Sequence, residues 1–61
     1  MDKQEFLDRL GTLLACLPAA RVAEWRAFYA EAIDDRMEEG MTEEQAVAAL
    51  GSPGAVADAV L

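Results

Sequence analysis

The chain has 61 residues, with five Lys or Arg against twelve Asp or Glu, one cysteine and no histidine, for a formal net charge of −7. A domain this short buries only about 60% of the surface its unfolded chain exposes, which leaves little room for a catalytic cleft, and one cysteine excludes a disulfide framework. Five scattered cations make no phosphate-binding face for nucleic acid, and the negative sign repels anionic membrane surfaces, so a basic protein partner is the attraction that remains.

Ala, Leu, Glu, Met, Gln and Arg dominate, and β-branched residues are few, so the expected class is all-α. The longest apolar run, Leu13 to Ala20, is broken by Pro18 and falls far short of the roughly 18 residues a membrane span needs. The opening "MDKQEF" lacks the basic and apolar regions of a signal peptide, which sets the expected compartment as cytoplasmic, a setting that a lone thiol fits.

The first helix is expected from Lys3 to Cys16. Asp2 is placed to cap it, with Glu5 three residues on in a capping-box spacing. Phe6, Leu7, Leu10, Leu13, Leu14 and Leu17, three and four apart, form one narrow apolar stripe. Pro18 disfavours helical geometry at Leu17 yet suits the first turn of a new helix. A second helix is therefore expected from Pro18 to about Glu39, about 33 Å long at 1.5 Å per residue, with Gly40 as its left-handed terminator. Val22, Trp25, Phe28, Tyr29, Ala32, Ile33 and Met37 cover about half its circumference, which suggests a central spine with Glu24, Glu31, Asp34, Asp35 and Glu38 on its wet side. Thr42 and Gln45 repeat the capping-box spacing and start a short helix from Glu43 to Leu50, ended by Gly51. Ser52 and Pro53 then suit the cap and first position of a fourth helix running to about Leu61. Alanine fills out the thin apolar faces of these last two helices. The connections are one to three residues long, so the expectation is one compact four-helix bundle spanning residues 1–61, with a long second helix and two short C-terminal ones.

Catalysis finds no support. A nucleophile needs a base beside it, the chain has no histidine, and the nearest cation in sequence to Cys16 is Arg21. Cys16 reads as a small residue at the edge of a packed helix, and Ser52 as a cap. Glu31, Asp34, Asp35 and Glu38 place several carboxylates on one helical surface. They lack the alternating ligands and mid-loop glycine of an EF-hand, and Glu-x-x-His di-iron motifs cannot exist here. No catalytic residue, metal ligand or cofactor is therefore assigned. Trp25 and Tyr29 are expected in the core, whereas Phe28, nearer the acidic border, is expected to be partly exposed and available to a partner. Arg36 is expected to cap carbonyls at the helix end or to bridge to Glu43 or Glu44.

Between Glu31 and Glu44, seven carboxylates face Arg36 alone, so this segment carries six of the seven net negative charges. The candidate interaction residues are Phe28, Glu31, Asp34, Asp35, Glu38, Glu39, Glu43 and Glu44, with the alanine-rich surface of the third and fourth helices adding contact.

The segments "EFLDRLGTLLACLP", "FYAEAIDDRMEEGMTEEQAVAALGSP" and "VADAV" resemble the HAAS family. The most specific pieces are Leu17-Pro18, Phe28-Tyr29, Asp35, the Gly40 turn followed by Thr42-Glu43-Glu44, and Leu50-Gly51-Ser52-Pro53. The resemblance implies an α-helical signalling module of bacterial membrane proteins encoded near PadR-type transcriptional regulators, sitting at their cytoplasmic N-terminus. It also implies a protein partner, with such a regulator as the candidate. Family relatives are membrane-attached; no membrane-spanning segment is expected in this chain, and "LPAARVAEW" carries alanine where relatives are commonly polar. A homo-oligomerisation module stands as the alternative, followed by a divalent-cation-binding helical domain.

Overall fold

A computed structural model describes all 61 residues and contains four helices: α1 (Lys3–Leu13), α2 (Ala19–Glu38), α3 (Glu43–Leu50) and α4 (Pro53–Val60). Three of the four helix starts are capped by a side-chain hydrogen bond. Asp2 Oδ1 accepts from the Glu5 N–H at 2.7 Å and caps α1. The reciprocal half of that capping box does not form, because Glu5 Oε2 is drawn to Arg9 Nη2 at 2.9 Å one turn along. Thr42 and Gln45 complete both halves of theirs, at 3.1 and 3.0 Å, and Ser52 Oγ accepts from the Ala55 N–H at 3.1 Å at the start of α4.

Two helix ends depart from the sequence expectation. The first helix stops at Leu13, three residues before Cys16. The chain then tightens into i→i+3 bonds, Ala15 to Thr12 at 3.2 Å and Leu17 to Leu14 at 2.9 Å, as it prepares the extended geometry Pro18 demands. Pro18 is the cap of α2 and not its first residue. At φ −55°, ψ 145° it lies outside the helix, and its carbonyl receives the Arg21 and Val22 N–H groups at 2.9 and 3.1 Å. At the other end, Gly40 takes φ +107°, its N–H reaching Met37 at 3.0 Å while the Met41 N–H reaches Arg36 at 3.2 Å. That pair is a Schellman closure, which satisfies two carbonyls the helix leaves open.

The longest element is α2. Its twenty residues extend about 30 Å at 1.5 Å per residue in a molecule measuring 34 × 18 × 17 Å. The densest packing, however, centres on α1, which lies against α2, α3 and α4, whereas α2 packs on α1 and α3. Phe6, Leu7, Leu10 and Leu14 of the α1 stripe are buried, and they meet Ile33 of α2, Ala46 and Val47 of α3, and Val56 and Ala57 of α4. Leu13, at the edge of the stripe, is 47% exposed, and Leu17 is only half-buried. Ile33 is the one fully buried residue of α2, with Val22, Trp25, Tyr29 and Ala30 packed as a flank on the core. Half the circumference of α2 is apolar, yet two short helices and α1 are too little protein to cover it.

Candidate protein-interaction surface

The aromatic residues of α2 form a ladder that climbs out of the core. Phe6 is fully buried, and its ring meets Tyr29 edge-on with centroids 6.5 Å apart. Tyr29 stacks on Trp25 at 6.0 Å, and Phe28 sits edge-on to both, at 5.0 Å from Tyr29 and 5.9 Å from Trp25. Trp25 and Tyr29, expected in the core, are only half-buried and pack against its flank, whereas Phe28 is 59% exposed. Two neighbouring rings, Trp25 and Tyr29, hold Phe28 in place while leaving much of it in water. Such an anchor loses little side-chain freedom on binding.

The carboxylates divide into two groups that the sequence treats alike. Asp34 is not free: Lys3 Nζ reaches its Oδ1 and Oδ2 at 2.9 and 3.2 Å, tying the start of α1 to α2. Glu43 Oε2 accepts from the Lys3 backbone N–H at 3.1 Å, and the N-terminal ammonium lies 3.9 Å from Glu44. These three acids are engaged by the first residues of the chain. Glu31, Asp35, Glu38 and Glu39 form no ion pair and no side-chain hydrogen bond, and all four are exposed. No sequence pattern announces the Lys3 clamp, because its partners lie 31 and 40 residues away.

The cations are spent elsewhere. Arg9 pairs with Glu5 at 2.9 Å, Arg21 with Glu24 at 3.2 Å, and Arg26 with Asp8 at 3.2 Å, between α2 and α1. Arg36 donates from Nη1 to the Ala32 carbonyl one turn back, at 3.2 Å; its guanidinium reaches neither Glu43 nor Glu44. The four unpaired acids thus stand on one stretch of α2 with no positive charge assigned to them. Asp35, Glu38 and Glu39 also sit at the helix end where the backbone dipole is already negative.

No three carboxylate or thiol side chains converge tightly enough to hold a metal ion. Cys16 lies exposed in the turn after α1 and not at a packed helix edge. No helix is long and apolar enough to cross a membrane. What the surface offers is an exposed ring followed along the helix by unpaired negative charge, an arrangement suited to contact with another macromolecule.

No curated protein and no solved structure matches the chain. The HAAS family model matches residues 5–59, all but the first four and last two residues, and its resemblance motifs fall on the Pro18, Gly40 and Ser52-Pro53 boundaries just described. The chain belongs to the HAAS family, a small helical module of the signalling and interaction type rather than an enzyme family.

Proposed function

We propose that this domain docks a positively charged protein surface as a non-catalytic step in bacterial signalling, and that the partner is a PadR-type transcriptional regulator. The reading rests on one observation: Glu31, Asp35, Glu38 and Glu39 have no partner within the chain and lie beside an exposed, ring-supported Phe28. The carboxylates steer the partner into encounter over roughly a Debye length, about 8 Å at physiological salt. Phe28 then supplies desolvated contact. Asp34, Glu43 and Glu44 hold the start of α1 against α2 and α3, which keeps the acidic stretch in register with the rest of the fold. The domain works at the cytoplasmic face, where the regulator is found.

The test uses a PadR-type regulator and measures association by stopped flow across salt concentrations. Changing Glu31, Glu38 and Glu39 to Gln together with Asp35 to Asn leaves the Lys3–Asp34 clamp intact. This variant is expected to associate about tenfold more slowly and with a flatter salt dependence. An unchanged association rate defeats the steering role.

A further inference from the structure

The exposed side of α2 carries a second seam. Trp25, Phe28, Ala32, Asp35 and Glu39 are spaced three, four, three and four apart, the repeat that keeps side chains in line along one helix face. Phe28, Asp35 and Glu39 are exposed and Ala32 is half-buried; Trp25, also half-buried, packs one side on the core beside Val22, Ala30 and Ile33. The first three positions of the seam are apolar and the last two are unpaired acids. From Phe28 to Asp35 is about 10.5 Å, and to Glu39 about 16.5 Å, at 1.5 Å per residue.

We infer that this seam receives a cationic amphipathic helix, with apolar side chains against Trp25, Phe28 and Ala32 and Lys or Arg against Asp35 and Glu39. The inference rests on the docking function proposed above and names the shape and chemistry of what docks. The axial repeat selects a helix. Residues seven apart on a partner helix share a face and span the same 10.5 Å, whereas a strand covers that distance in about three residues, which point to opposite faces. The charge selects a cation. A guanidinium set over the open part of the Phe28 ring adds attraction to the aromatic face, and an ammonium or guanidinium opposite Asp35 meets both the carboxylate and the negative end of the α2 dipole.

A second copy of this chain fits the seam poorly. A standard interface covers about 800 Å² on each partner, about a fifth of the 3834 Å² that this molecule exposes. Centred on Phe28, such a footprint takes in Glu24, Glu31 and Asp35 of both copies against one cation, Arg21, which is already paired with Glu24 at 3.2 Å. It would press like charges together between two chains of net charge −7.

The decisive experiment titrates the isotopically labelled 61-residue chain with two lactam-stapled helical peptides of about three heptads. Both carry Leu at three successive seam-facing positions. They differ only in having two Lys or two Glu opposite Asp35 and Glu39. The Lys peptide is expected to bind at least about tenfold tighter, with amide shifts confined to Trp25–Glu39. Asp35→Lys with Glu39→Lys is expected to invert the preference, and Phe28→Ala to weaken both peptides without changing the fold's circular dichroism. Equal binding of the two peptides, binding of neither, or shifts centred on α3 and α4 overturns the inference. So does a dimer in sedimentation that Phe28→Ala dissolves. If the regulator binds but the Lys peptide fails to displace it, the seam fails while the docking function stands. If the regulator does not bind at all, the docking function fails, and the peptide pair still decides the seam.

Discussion

Replacing Asp35 with Asn and Glu39 with Gln should make the isolated domain more stable while weakening its attraction for cations. Both substitutions keep shape and near-equal helix propensity, so charge is the variable. Glu31–Asp35 and Asp35–Glu39 are like-charge pairs four residues apart, none of them relieved by an ion pair. Each such pair costs about 0.2–0.5 kcal/mol. Asp35 and Glu39 also occupy the last turn and C-cap of α2, where a negative charge opposes the dipole by about 0.3–1 kcal/mol apiece. Both side chains are exposed and screened, so the low ends of these ranges apply and the double variant gains about 1–1.5 kcal/mol. In a domain of this size, 1 kcal/mol moves Tm by about 4–8 °C. Thermal unfolding followed by circular dichroism at low ionic strength should therefore show a rise of about 4–12 °C. In 1 M salt, where the Debye length shrinks to about 3 Å, most of that gain should vanish. A variant no more stable than the parent, or a gain of equal size at high salt, refutes the claim that these acids are unrelieved in the free domain. A confirmed gain would mean that the free fold carries repulsion that a cationic partner removes on binding, the usual form of a trade between stability and function.

Two further outcomes test the packing. Phe6→Ala removes a fully buried ring at the α1 hub and the edge contact that seats Tyr29; a loss of about 3–5 kcal/mol is a large part of the roughly 3–9 kcal/mol expected for 61 residues, so urea titration should find the midpoint lowered by half or more. Gly11→Ala and Gly40→Ala should shift the urea midpoint in opposite directions. At Gly11 a methyl group would lie 3.4 Å from Arg26 Cδ, a movable side chain, and helix propensity adds about 0.5–1 kcal/mol. At Gly40, with φ +107° and open space around it, only backbone strain acts, and it costs about 1 kcal/mol or more.

Punctuation was the legible part of this fold. Thr42 with Gln45, Ser52 with Pro53 and the Gly40 turn act through hydrogen bonds or torsions within a few residues, so they survive in whatever tertiary setting the chain provides. The capping box at Asp2 failed for the same local reason: Arg9, one turn beyond Glu5, competes for its carboxylate. Phe28 was legible as an exposed aromatic because it borders the acidic side of α2. The concentration of packing on α1 was not, since α2 has the wider apolar face. Width of face records what a helix offers, and burial depends on how many neighbours arrive to cover it.

The division of the acids was hidden more deeply. A helical wheel supplies angles without an origin, so the spacing of Trp25, Phe28, Ala32, Asp35 and Glu39 is present in the sequence but has no direction until another residue supplies one. Ile33 does this: its complete burial shows which side of α2 meets the core and leaves Phe28, Asp35 and Glu39 of the seam on the outside. Lys3 supplies the second missing piece. By taking Asp34 through its side chain and Glu43 through its backbone, it removes two carboxylates from an apparently uniform block and leaves Glu31, Asp35, Glu38 and Glu39 unanswered. Long-range pairing thus turns an evenly acidic segment into one part that holds the fold together and another that no group within the chain answers.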